Sequence, residues 1–145
     1  MRLYLPELPE MVDKLSIVTL KSIKLGCKNS EKKKAYEHEA QLIMHDINLM
    51  MKEKIKDVKD WGKFYRAMGI IFLANETIWQ NESEARKEGY NDGQKLLFTH
   101  SVNGMRMRAG NAIVKQLGGR ADLNLDRVND KISEERGYDW NGLFD

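Results

Sequence analysis

The sequence predicts an all-α protein, an antiparallel four-helix-type bundle with an additional C-terminal helix. Three observations carry this expectation. Both prolines, Pro6 and Pro9, come before residue 10, so the rest of the chain lacks the strongest helix breaker. Apolar residues recur at spacings of three and four through most of the chain. No run alternates apolar and polar residues for more than a few positions, and no hairpin signal joins two such runs.

The first helix is expected to start at Pro9, with Glu10 near the positive end of the helix dipole, and to end at Gly26 in a left-handed cap. Met11, Leu15 and Val18 form one apolar side and Ile17 and Leu20 another, which suits a central helix. Asn29 or Ser30 caps the second helix, whose stripe is Tyr36, Ala40, Ile43, Ile47 and Met50. Asp60 caps the third, which carries Trp61, Phe64, Met68, Ile71 and Ile78 and stops near Gly89. "GYNDGQ" reads as a turn. The fourth helix buries Phe98, Val102, Met105, Ala109 and Ile113 and ends at Gly118-Gly119. A shorter fifth, around "LDRVNDKISEER", stops at Gly137. The tail "YDWNGLF" is too aromatic to be left in water, so it packs on the bundle or on a second subunit.

The length of 145 residues suits one continuous core. The expected organisation is one domain over 1–145, with a core bundle at 8–117 and a C-terminal helix and aromatic tail at 118–145. Hydrophobic residues are 41% and charged residues 32%, too apolar for disorder and too charged for a membrane protein. "GIIFLA", the longest apolar run, is far short of the roughly 20 residues that span a bilayer. With a proline pair and acidic residues where a signal peptide needs an apolar core, the expected location is cytoplasmic, without a membrane partner. A single cysteine, Cys27, excludes an internal disulfide and a cysteine-based zinc cluster. The net charge of +2 is well mixed along the chain, which disfavours nucleic acid as a partner and is compatible with a small anionic ligand.

Positions 61, 65, 68, 72, 75, 79, 82 and 86 differ by three or four and form one line on the third helix. That line reads Trp, Tyr, Met, Phe, Asn, Trp, Glu, Arg, so Asn75, Trp79, Glu82 and Arg86 are expected on the inward side. The simpler reading is an Asn that fixes helix register and an exposed Glu82–Arg86 pair. On the fourth helix, His100, Asn103 and Arg106 are spaced by three. Gly104 and Gly110 each cost about 1 kcal/mol relative to Ala in a helix interior, which points to close approach of a neighbour or a ligand. The alternative is a solvated basic face.

The first helix adds Asp13, Ser16 and Lys21. A carboxylate in a helix apolar on two sides needs a cationic partner, and Arg86 and Arg106 are the candidates. Such a cluster holds a phosphate or carboxylate through bidentate arginine contacts, with Trp79 as an apolar wall. Two other constellations are weaker. His38 and His45 lie seven apart, too far for one ion on a straight helix, so no metal site is assigned. Glu10-x-x-Asp13 and the Glu82, Glu84, Glu88 series are similar to the paired carboxylates of all-α nucleotide pyrophosphohydrolases, but a second convincing pair is absent.

Three segments together, "VDKLSIVTLK" at 12–21, "NETIWQNESEAR" at 75–86 and "NGMRMRAGNAI" at 103–113, resemble families of small helical proteins of unknown function, DUF6165 and DUF4254. The resemblance spans roughly residues 8 to 115. It departs in the Gly-interrupted fourth helix and in the extension from "RADLNLD" to "GLFD". It implies that Asp13, Lys21, Asn75, Trp79, Glu82, Arg86, Asn103 and Arg106 act as a unit, and a kinship with proteins found in phages and near glycosyltransferase genes. It names no substrate.

The functional expectation is a protein that binds, sequesters or processes a small anion, a nucleotide or nucleotide-sugar. Lys21, Asn75, Trp79, Arg86, His100, Asn103 and Arg106 are its ligand-binding candidates, and Asp13 and Glu82 its acid/base candidates. No cofactor is assigned. The alternatives are a non-catalytic interaction module, homo-oligomeric through the Met-rich second helix or the aromatic tail, and a magnesium-dependent nucleotide pyrophosphohydrolase.

Overall fold

The computed structural model describes residues 5–89, 93–121 and 128–144, and every regular element among them is helical. In chain order they are α1 (Leu8–Lys24), α2 (Ser30–Lys54) with a following 3-10 turn (Ile55–Asp57), α3 (Trp61–Lys87), α4 (Gly93–Leu117) and α5 (Asp130–Glu135). The five helices pack against one another in an all-α fold. The turn expected over "GYNDGQ" centres on residues 90–92, and the start expected for the fifth helix falls on 125–127; both lie outside the described residues.

Local chemistry sets the helix boundaries. Pro9 occupies the first turn of α1, where its missing N–H is not needed, and Glu10 reaches back to the Glu7 N–H at 3.3 Å. Asn29 caps α2 by accepting from the N–H groups of Glu31 and Lys32, each at 3.1 Å. Asp60 caps α3 through the Lys63 N–H at 3.0 Å, and Asn129 caps α5 through the Ile132 N–H at 3.1 Å. Gly89, Gly118 and Gly137 close α3, α4 and α5 with positive φ. Gly26 does not do the same for α1. It is buried, and a Cβ there would collide with the Ser22 carbonyl oxygen and fall 2.8 Å from Lys33 Cβ. Its small size lets the end of α1 and the start of α2 meet.

α3 and α4 form the most extensive helix pair, and α1 and α2 the next; α1 lies on α3 and touches α4, while α5 packs on α4. The largest apolar cluster joins Leu8 and Val12 of α1 to Phe64, Ala67, Ile70 and Ile71 of α3 and Ala109, Ile113 and Leu117 of α4. A second joins Ala74, Phe98, Val102 and Met105 to Ile132 and Trp140, and a third joins Met11 and Val18 to Ala40 and Ile43 of α2. α1 is thus apolar on two sides, as expected, but its second side runs through Leu8, Val12 and Ser16; Ile17 and Leu20 are only half-buried. The aromatic tail packs on the bundle: Trp140 is buried, stacked on Tyr138 at 5.1 Å, and Tyr138 meets Phe98 at 5.5 Å.

The register of α3 differs from the expected one. Its buried line runs through Phe64, Ala67, Ile71, Ala74, Asn81 and Ala85. Trp61, Tyr65 and Phe72 are 39%, 61% and 38% exposed. The inward positions of α3 are shared by Phe64, Ile70 and Ile71 with the alanines Ala67, Ala74 and Ala85.

Candidate functional site

Three helices bring five polar side chains together beside the core. α1 supplies Asp13 and Ser16, one turn apart; α3 supplies Asn75; α4 supplies Asn103 and Arg106, also one turn apart. Asn75 sits at the centre and is buried, as is Ser16. Its amide nitrogen donates to Asp13 Oδ1 at 2.7 Å and to Ser16 Oγ at 2.5 Å, while its Oδ1 accepts from Arg106 Nη1 at 3.0 Å. Ser16 Oγ donates in turn to the Asp13 carbonyl at 2.7 Å. Arg106 Nη2 donates to Asn103 Oδ1, and Nη1 lies 3.5 Å from Asp13 Oδ1.

The arrangement has a direct electrostatic logic. An asparagine has a donor end and an acceptor end, and here the donor end faces the carboxylate and the acceptor end faces the guanidinium. A buried amide whose two ends both find partners avoids the desolvation cost of an orphaned polar group. The guanidinium is fixed in orientation by groups on all three helices. Asp13 and Arg106 stay 30% and 26% exposed, so the network is closed on the core side and open on the other.

The open side is one wall of a groove of about 460 Å³ between the first turns of α1 and the C-terminal half of α4. Gly110 lies where a Cβ would come 3.3 Å from Pro9 Cβ, so this glycine accommodates close approach of α1. Another part of the lining comes from the segment after α4, through Arg120 and Ala121. Arg120 pairs with Glu7 at 3.0 Å and Glu10 at 3.5 Å, and also donates to the Leu5 carbonyl. Gly119, at φ +117°, makes this possible, since a Cβ would stand 2.7 Å from Glu7 Oε2. Three carboxylates, Glu7, Glu10 and Asp13, therefore share the groove with two arginines.

Of the expected site residues, Asp13, Asn75, Asn103 and Arg106 come together and the others do not. Glu82 and Arg86 are exposed, because the α3 line expected to face inward is rotated outward on either side of Asn75. Asp13 pairs with Arg106, the second of the two candidates. Trp79 is half-buried and His100 exposed, and neither lines the groove. Lys21 sits 5.9 Å over the Tyr36 ring, a cation–π contact between α1 and α2. Glu7 and Arg120 were not foreseen: the helical period ends at Gly118, and no spacing rule connects Arg120 to a carboxylate at the other end of the chain.

No family model, curated protein or solved structure matches this chain. The residues of the groove therefore carry the functional argument alone.

The carboxylates of the groove are turned to arginine rather than to each other, Asp13 to Arg106 and Glu7 and Glu10 to Arg120. Among the described residues no group of three or more His, Cys, Asp or Glu is placed to hold a metal ion. Among them, too, no helix is long and apolar enough to cross a membrane.

Proposed function

We propose that the protein binds a small organic anion, a phosphate- or carboxylate-bearing metabolite of nucleotide or nucleotide-sugar size, in the groove between α1 and α4. One observation carries this reading: Arg106 and Arg120 both line a single open groove. Its volume falls within the range of about 300–1,000 Å³ usual for small-molecule sites. Arg106 is oriented in advance by Asn75, Asn103 and Asp13, which lowers the entropic cost of engaging a ligand.

Both arginines already have carboxylate partners, so binding is an exchange. The Arg120–Glu10 contact is long, at 3.5 Å, and Glu10 is half-exposed. A solvent-exposed ion pair is worth about 0–1 kcal/mol, and an anion that takes both guanidinium N–H groups outcompetes it. In this reading Glu10 swings into solvent as the ligand enters, and Asp13 remains as the fixed support of Arg106.

Differential scanning fluorimetry against nucleotides and nucleotide-sugars tests the proposal. A ligand at 100 times its Kd adds about 2.7 kcal/mol of stability. Arg120→Ala should abolish the shift; because Arg120 also holds the largely buried Glu7, each variant's response is read against its own unliganded melting point. An unshifted melting point across the whole panel, or an unchanged response in Arg120→Ala, overturns it.

A second reading, an interaction module, draws on α2, where Leu42, Met44 and Leu49 are exposed and only Ala40 and Ile43 are buried. Light scattering over a concentration series separates the two readings. Metal-dependent nucleotide hydrolysis is favoured less, because Glu10 and Asp13 of its first carboxylate pair are turned to Arg120 and Arg106.

A further inference from the structure

The next flank of α4 borders a second groove, of about 520 Å³, closed on its other sides by the start of α5 and the aromatic tail. Asn111 lies on the ridge between the two grooves and lines both. The charge arrangement here is the opposite of that in the first groove. Arg108 and Lys115, seven residues apart on one line of α4, have no ion-pair or hydrogen-bond partner among the described residues. Asp130 is the one carboxylate among the described residues of the lining. The same groove has an apolar and aromatic lining that includes Met105, Trp140 and Phe144.

Trp140 adds an independent observation. Its ring is more than nine-tenths buried, and its Nε1–H is buried without an acceptor. Buried indole N–H groups ordinarily find a partner, and here the unmet donor belongs to a residue that lines this groove. No carboxylate must first be displaced from these two cations before they engage an anion.

We propose that this second groove is a binding site for aromatic acids, with the acidic head on Arg108 and Lys115 and the ring against Trp140 and Phe144. It shares only Asn111 with the first groove, differs from it in charge and apolar lining, and stands or falls without it. The head is a carboxylate or a phosphate; the apolar ring distinguishes the ligand from simple anions.

The test is a two-dimensional 1H–15N titration with naphthalene-2-carboxylate and with naphthyl phosphate. The Trp140 indole resonance is assigned by its disappearance in Trp140→Phe. Either acid should move that resonance, together with amides of residues 108–115, and the Arg108→Ala/Lys115→Ala double variant should weaken the titration about tenfold or more. Acetate, which has no ring, and neutral 2-naphthamide should leave the resonance in place. An unmoved Trp140 signal, an unchanged titration in the double variant, or an equal response to 2-naphthamide overturns the proposal. So does a titration that survives the double variant and is lost in Arg120→Ala, which would place the acid in the first groove.

Discussion

Arg106 on α4 donates to the side-chain oxygen of Asn75 on α3 at 3.0 Å, and that bond fixes the sense of the whole polar network. Once the Asn75 oxygen is committed to Arg106, its amide nitrogen faces α1, where Asp13 and Ser16 are acceptors. Neither α3 nor α4 can slide by a turn without orphaning a buried amide.

Asn75→Ala should therefore lower stability by about 1–3 kcal/mol, the cost of leaving buried polar groups unpaired. Thermal unfolding would register this as about 2–4 °C per kcal/mol for a chain of this size. In a double-mutant cycle with Arg106→Ala the two changes should couple by about 0.5–3 kcal/mol. A coupling indistinguishable from zero would show that the bond does not contribute.

The rotated register of α3 gives a sharp contrast between neighbours. Phe64 is almost wholly buried and Tyr65 largely exposed. Phe64→Ala should cost about 3–5 kcal/mol. Tyr65→Ala should change stability by no more than about 0.5 kcal/mol. Chemical denaturation of the two variants decides it, and comparable losses would return the aromatic line to the core.

Gly118 and Gly119 both have positive φ, but only Gly119 is pressed against another side chain. Each alanine substitution should destabilise, by roughly 1–3 kcal/mol for a residue forced into such a conformation. Gly119→Ala should cost the more, because its Cβ must also displace the Glu7 carboxylate. In a Glu7→Ala background that excess should shrink; an excess that persists would assign it to the backbone alone.

Trp140→Ala should destabilise by about 3–5 kcal/mol, as expected for emptying a buried aromatic site. Because Trp140 and Tyr138 pack on Phe98 and the second core cluster, the loss should appear as a lower melting point with the same molecular mass in solution. Light scattering that showed a larger species in the wild type only would assign the tail to a subunit interface instead.

The α4 stripe, the α2 stripe and the caps at Asn29 and Asp60 were legible in the sequence, because large apolar residues at a regular period and a polar residue before it have one structural meaning each. Asp13, Asn75, Asn103 and Arg106 were legible for a related reason: polar groups close to an apolar stripe need partners, and these are complementary. On α3 the burial of Phe64 and Ile71 was legible, but the line through Trp61, Tyr65 and Phe72 was not: these residues outweigh Ala67, Ala74 and Ala85 on any hydrophobic scale, yet the alanines share the buried side with Phe64 and Ile71. That difference moved Glu82 and Arg86 outward. Arg120 was beyond reach for another reason: its position depends on how the chain turns back after α4, and no local pattern encodes that return. The burial of the tail was legible from its aromatic residues, but not that Trp140 covers Phe98 and Met105.

The Arg120–Glu10 contact joins residues 110 positions apart, and the walls of the first groove are contributed by opposite ends of the chain. During synthesis, then, no part of this groove exists until α4 has left the ribosome and folded back on α1. A ligand held there would act as a clasp between α1 and α4, and its occupancy would report the docking of these two helices.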